Sequence, residues 1–289
     1  MTRTIPVVGL ILSSTLWAQS ESQPSTQGHA LELQELIAKM KAAEKDVDSA
    51  VLEMVTRGTY PGGVGFEIRG SVRVLGGTHF HIRNRATFED DLTSEQEEVR
   101  TPEGAWMREK DPAFGEVYLS MKPELLAELK RAKETLAGAG DEAPLADNPA
   151  EDPLGSAMLE SLDRHFALEV QKRVIGGHDV LVVQGPVREA PPEPGESDFP
   201  QPDRVELLVR TPDLAVIQMT QFRDGKELMQ VEITRLELNV PIDKGSFRIE
   251  LPEGQRFLDV MEHPPAAAQI RDLLDKAKAR REQTEDDKR

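Results

Sequence analysis

The sequence predicts an α+β protein in which α-helices cover the apolar face of one strongly curved antiparallel sheet of about ten strands. Three observations predict it. Apolar residues recur at helical spacing near the start, the middle and the end of the chain, alternate with period two between these segments, and are punctuated by short glycine and proline turns. Turns this short cannot make parallel crossovers, so the strands form an antiparallel meander.

Helical spacing predicts four helices, over residues 29–47, 123–136, 157–164 and 264–282. The first carries a stripe that includes Leu33, Leu36 and Met40. The second has Pro123 in its first turn, where the missing amide hydrogen costs no hydrogen bond. Each helix has an apolar stripe that needs a surface to cover, and the sheet offers one.

Alternating apolar residues predict strands between residues 51 and 120 and again between 166 and 251, the last of them over 247–251. The turns between them include Gly76-Gly77, Gly176-Gly177 and Asp224-Gly225. In 227–240 the apolar parity changes after Ile233, which predicts a β-bulge near Thr234 or Arg235. Such a bulge bends a sheet.

The ends and loops of the chain give its predicted organisation. Residues 1–20 have the charged start, apolar stretch and small final residues of a signal peptide, which predicts export to the periplasm. The other predicted segments are a flexible leader at 21–28, one domain at 29–262 with disordered acidic loops at 137–155 and 189–202, and a C-terminal helix with a charged tail at 263–289.

Charge and cysteine content exclude several classes of function. The 289 residues include 52 acidic and 35 basic side chains, for a net charge of −17, and no cysteine. That charge repels nucleic acid and anionic lipid surfaces, so neither is an expected partner. Stable membrane insertion is not expected either, because no segment after residue 20 is long and apolar enough to span a membrane. Without cysteine there are no disulfides, thiolate nucleophiles or cysteine-ligated metals.

Catalytic motifs are missing, and the chain is not expected to be an enzyme or to need a cofactor or metal. His79 and His81 share one strand face, but catalytic zinc usually takes three protein ligands and no third is evident. Arg83 and Arg85 continue that face and could meet an anion, although offsetting the acids at 89–91 is the simpler interpretation.

Five segments, taken in order, resemble the LolA-like family of periplasmic outer-membrane lipoprotein carriers and related lipoprotein-sorting domains. They are the helix from Leu31 to Lys45, Gly70-Ser71-Val72-Arg73-Val74, Glu103-Gly104-Ala105-Trp106-Met107, Glu116-Val117-Tyr118-Leu119 with the helix after it, and the stretch from Leu238-Asn239-Val240-Pro241-Ile242 to Phe247 and Pro252-Glu253-Gly254. The resemblance spans about residues 31–260. It implies an incomplete β-barrel whose helices form a lid over an apolar cavity for acyl chains.

The candidate walls of that cavity are seven aliphatic or methionine side chains and four aromatic side chains from the predicted strands. They are Phe66, Ile68, Phe80, Ile82, Trp106, Leu119, Phe166, Val216, Met229, Val231 and Ile233. Strand alternation reports burial without telling what lies against the buried side chain, so a filled core under the helices is the alternative for each of them.

Three functions fit these patterns. The first is a non-catalytic periplasmic carrier or binding protein for lipoproteins or other ligands with acyl chains. The second is an envelope protein-interaction or stress-sensing domain that works through its surface and acidic loops. The third is a hydrolase that uses His79 and His81, which the missing motifs disfavour.

Overall fold

The computed structural model describes residues 27–60, 63–88, 92–113, 115–137, 152–188 and 201–286. These ranges hold four helices: α1 (Gln27–Glu44), α2 (Pro123–Ala137), α3 (Ser156–His165) and α4 (Pro264–Asp286). They also hold twelve strands: β1 (Ser49–Thr59), β2 (Gly65–Leu75), β3 (His79–Phe88), β4 (Thr93–Thr101), β5 (Gly104–Asp111), β6 (Gly115–Met121), β7 (Glu169–Ile175), β8 (His178–Pro186), β9 (Arg204–Arg210), β10 (Ala215–Arg223), β11 (Lys226–Leu238) and β12 (Leu258–Asp259).

All twelve strands belong to one sheet in the order β12-β6-β5-β4-β3-β2-β1-β11-β10-β9-β8-β7. Two antiparallel meanders, β1 to β6 and β7 to β11, meet where β1 pairs with β11. Only β12 among the described strands pairs in parallel, with β6. The α+β class and the antiparallel meander are confirmed, but the sheet is neither closed nor strongly curled, so the expected half-barrel is an open sheet with edges at β12 and β7.

The sheet has an apolar face and a polar face. Directly opposed residues in antiparallel strands point to the same side, so each face can be followed across the ladders. One row across the first meander and β11 runs through Leu236, Leu52, Val72, Ile82, Glu98, Met107 and Leu119. The neighbouring row on the other side runs through Arg235, Glu53, Ser71, Arg83, Glu97, Arg108 and Tyr118.

Helices cover the two flanks of the apolar face. On the second meander, Leu33 and Met40 of α1 and Leu159 of α3 share a buried cluster with Leu207 and Val209 of β9. On the far side, Leu125 of α2 and Ile270 of α4 pack with Leu119 of β6. The predicted leucine stripes therefore face the sheet as expected, and they do so in two separate helix pairs.

The predicted bulge is confirmed in β11. Glu53 of β1 lies opposite Arg235 and Met54 lies opposite Ile233, so Thr234 is the extra residue. Its hydroxyl donates a 3.2 Å hydrogen bond to the Glu53 carbonyl oxygen. This insertion keeps the apolar residues on both sides of it on the same face of the sheet.

The predicted last strand, 247–251, is wrong. Phe247 and Ile249 are buried, as alternation requires, but they pack against Val99 and Tyr118 on the polar face without joining a ladder. The final strand is β12, which begins only at Leu258. Period-two burial can arise from an extended segment that lies across a sheet as well as from a strand within it.

The predicted acidic loops lie largely outside the described residues. The last residues of the first loop, 152–155, are described and packed: Asp152 is 7% exposed and Leu154 is 2% exposed. Asp152 accepts hydrogen bonds from the backbone amides of Ala157 and Met158, at 3.0 and 2.9 Å, at the start of α3. A capping carboxylate therefore orders this end of the segment. The predicted signal peptide and most of the leader also lie outside the described residues.

Candidate functional site

Nine of the eleven predicted wall residues lie on the apolar face. Cross-strand pairing places Phe66, Ile68, Phe80, Ile82, Leu119, Val216, Met229, Val231 and Ile233 there. Trp106 lies on the polar face, opposite Val99 and Ser120. Phe166 follows α3 and makes an isolated bridge with Val187. Trp106 therefore lies on the opposite side of the sheet from the nine wall candidates on the apolar face.

The nine residues are divided among different packing environments. Val216, Met229 and Val231, together with Phe166, pack in the cluster under α1 and α3. Leu119 packs under α2 and α4. These residues pack in clusters that include helix residues. Of the other five, Phe80, Ile82 and Ile233 lie in a third cluster, and Phe66 and Ile68 belong to none of the three.

That third cluster, the central strip, lies on β1, β2 and β3 between the two helix pairs. It consists of Ala50, Leu52, Val72, Val74, Phe80 and Ile82, each at most 8% exposed. Val47, Met54, Ile233, Leu236 and Leu238 pack against it. None of these residues belongs to one of the four described helices. The strip is thus apolar and shielded from solvent, yet its described packing partners come from the sheet and from Val47 before β1.

The strip has an aromatic end and a polar border. Near the start of β2, the ring of Tyr60 lies 4.8 Å from that of Phe66 and 6.1 Å from that of Phe88. Beside Ile82, the next strand places Glu98 on the same face, where it is 8% exposed and accepts a hydrogen bond from Arg100. One strand further, burial raises the pKa of Glu109 above its ordinary value.

The polar face holds a groove of about 560 Å³ across β1 to β5. Its lining includes Arg69, Arg83, Arg85, Arg108, Ser71, Glu53, Glu95 and Glu97. Glu97, 8% exposed, organises its centre: Arg83 Nε donates to Glu97 Oε1 at 2.8 Å, and His81 Nε2 lies 2.7 Å from the same oxygen. A nearly buried carboxylate is stabilised only when such partners surround it.

His79 and His81, the two histidines considered as metal ligands, both pack against other side chains. His81 is 4% exposed, and burial lowers the pKa of its imidazole despite the neighbouring carboxylate. The His79 ring lies edge-on to Phe247, with 5.4 Å between centroids. No group of three or more histidine, aspartate or glutamate side chains within the described residues is placed to hold a metal ion.

Sequence reasoning missed a carboxyl cluster that joins α1 to α3. Glu44, at the end of α1, accepts hydrogen bonds from the hydroxyl and the backbone amide of Ser156, the latter at 3.3 Å. Burial, followed by the neighbouring carboxyl of Asp152, raises the pKa of Glu44 to about 7. Glu44 and Ser156 are 112 positions apart in the chain, so no local motif could reveal them.

No protein-family model and no curated protein matches the chain. Solved structures resemble it distantly. An uncharacterized conserved protein from Thermus thermophilus has a TM-score of 0.39 at 9% identity over 80% of this chain and 98% of the other. Mycobacterium tuberculosis lipoprotein LppX has a TM-score of 0.38 at 12% identity, over 74% and 98% of the two chains.

A putative outer membrane lipoprotein-sorting protein domain from Vibrio parahaemolyticus has a TM-score of 0.29 at 9% identity, over 75% of this chain and 97% of the other. Likenesses at such low scores do not indicate what this chain does, since function depends on the residues of a site. None of the described helices is both long and apolar enough to cross a membrane.

Proposed function

We propose that the protein is a periplasmic, non-catalytic carrier or binding protein for apolar ligands, the acyl chains of lipidated proteins or of lipids. The observation that carries the proposal is the central strip. Its six side chains are buried and aliphatic or aromatic, and no described helix residue belongs to their cluster. A ligand acyl chain on this strip would gain roughly 0.8 kcal/mol for each methylene group removed from water.

The arrangement of the helices supports this proposal. In strand order the strip lies between β11, on the flank that α1 and α3 cover, and β5 and β6, on the flank that α2 and α4 cover. The two helix pairs make no shared cluster among the described residues. A ligand on the strip would therefore have apolar helices on either side and a sheet beneath it, as apolar ligand sites generally require.

The proposal is tested with an Ile82→Trp variant. If the strip lines a ligand space, the larger ring fills it, so uptake of a fluorescent fatty acid falls at least tenfold while the free energy of unfolding changes by less than about 1 kcal/mol. If the strip is a filled core, the same change overpacks it and costs about 1–3 kcal/mol. The second result, or a wild-type protein that takes up no fatty acid, would overturn the proposal.

Leu207→Trp is the matched control. Leu207 is fully buried under α1 and α3, so the added volume should destabilise the fold by about 1–3 kcal/mol. Organic extraction of the purified protein, followed by mass spectrometry, gives an independent readout. A stoichiometric acyl-containing species in wild type and its depletion in the Ile82→Trp variant are expected.

A further inference from the structure

We propose that the groove on the polar face is a binding site for a small anion, a carboxylate or phosphate group, with Arg85 as its principal ligand. This site lies on the opposite side of the sheet from the central strip and does not depend on the carrier function.

Strand register places two arginines directly opposite each other. Arg69 of β2 pairs with Arg85 of β3, while the next outward-facing pair on the same strands is Ser71 with Arg83. Like charges in directly opposed positions destabilise a sheet, because their side chains are only about 5 Å apart at Cβ. An anion bound between Arg69 and Arg85 would remove this repulsion.

The carboxylates around the groove already have cationic partners. Glu67 accepts from Arg57 at 2.9 Å and from Arg69 at 2.8 Å, one guanidinium on each oxygen. Arg108 donates to Glu116 at 2.5 Å, and its Nη2 lies 3.4 Å from Glu95. Across the groove, Glu53 lies 3.1 Å from Arg235.

Arg85 differs from its neighbours, because its guanidinium has no ion pair or hydrogen bond with any described residue. Glu95, the residue directly opposite Arg85 on β4, lies 3.4 Å from Arg108 and makes no ion pair or hydrogen bond with the Arg85 guanidinium. The acids at 89–91, which the sequence suggested as partners of Arg85, lie outside the described residues. The guanidinium hydrogens of Arg85 are thus available to a carboxylate or phosphate, and a bidentate pair is the geometry that such a group prefers.

The groove is organised before any ligand binds. Glu97 holds the Arg83 side chain from below, and Ser71, opposite Arg83, adds a hydroxyl donor to the same lining. Because the Arg83 guanidinium is already held in place by Glu97, it loses less conformational entropy when an anion binds beside it. The net charge of −17 on the whole chain repels extended polyanions, so the groove is suited to a single small anionic group.

The test is a calorimetric titration of the full chain with inorganic phosphate and, separately, with acetate, at constant ionic strength. One saturable site is expected with at least one of the two, and the arm that saturates identifies the preferred group. Arg85→Gln should weaken binding at least tenfold. Arg173→Gln is the control, since Arg173 is an exposed arginine on β7 that contacts Gln171 and lies outside the groove; its binding should equal that of wild type.

Thermal unfolding separates binding from folding. Removing one of two opposed cations should leave the melting temperature of the ligand-free protein unchanged or raise it, while the stabilisation by saturating anion disappears. The proposal is overturned if neither anion saturates a site on wild type, if Arg85→Gln binds as wild type does, or if Arg173→Gln loses binding equally.

Discussion

At the scale of single residues, Glu44 provides a prediction about pH. Its pKa is raised from 4.5 to about 7 in the folded protein, so the folded state holds a proton that the unfolded chain releases between these values. The stabilisation is complete below pH 4.5 and is lost as the pH rises through about 7. Because the carboxyl is only half-buried, we expect a loss of about 1–2 kcal/mol.

Glu44→Gln should remove this dependence, because the amide stays neutral and its oxygen can still accept from Ser156. Urea unfolding at pH 5 and pH 8 measures the effect: the variant should match wild type at pH 5 and exceed it by about 1–2 kcal/mol at pH 8. Glu35→Gln is the control, since Glu35 is exposed and Lys39 lowers its pKa. An equal pH dependence in wild type and Glu44→Gln would contradict the assignment.

The side of the sheet on which a residue lies could be predicted from the sequence in some strands but not in β5. In β5 apolar side chains occur in both parities, with Ala105 and Met107 on one face and Trp106 on the other. Alternation alone could not decide which set faces the helices, so Trp106 was predicted on the side opposite to its position. The Thr234 bulge was predictable, because the apolar parity changes at a single point within one strand.

At the scale of elements, α4 should contribute substantially to stability through one face. Ala267, Ile270 and Ala277 are at most 8% exposed, and α4 packs against α2 and β6. Ile270→Ala should cost about 2–4 kcal/mol, because it leaves a cavity beside Leu119 and Val260. Arg271→Ala, the exposed neighbour, should change the free energy of unfolding by less than about 0.5 kcal/mol. Equal midpoints for the two variants in urea would show that α4 does not pack on the sheet.

Helices were more predictable than the last strand for a physical reason. A helix satisfies its backbone hydrogen bonds locally, so the spacing in 123–136 and 264–282 was sufficient to predict α2 and α4. A strand needs a partner, and the partner of β12 is β6, which lies far earlier in the chain. The candidate site could not be predicted for the same reason. The residues of the central strip and of the groove lie on several strands, and they become neighbours only through the register of strand pairing.

At the scale of the whole molecule, the two meanders should unfold as one unit. They meet in the ladder between β1 and β11, from Ala50 opposite Leu238 to Gly58 opposite Met229, and Leu236 and Leu238 pack with the clusters on both sides of that junction. Shared packing across a continuous ladder couples the stability of the two halves. A defect in one meander should therefore be detected in the other.

Trp106 makes this coupling measurable. The sequence has two tryptophans, so Trp17→Phe leaves Trp106, in the first meander, as the single tryptophan, which is excited selectively at wavelengths where tyrosine does not absorb. In that background Val231→Pro removes a backbone donor from β11, between Thr56 and Met219, and should cost about 3 kcal/mol or more. The urea midpoint from Trp106 fluorescence should fall together with the midpoint from far-ultraviolet circular dichroism, whereas Val231→Ala should shift both by a smaller amount. If the Trp106 midpoint stayed at its original value while circular dichroism showed an earlier transition, the two meanders would be independent folding units, and the central strip on the first could open without the helices on the second.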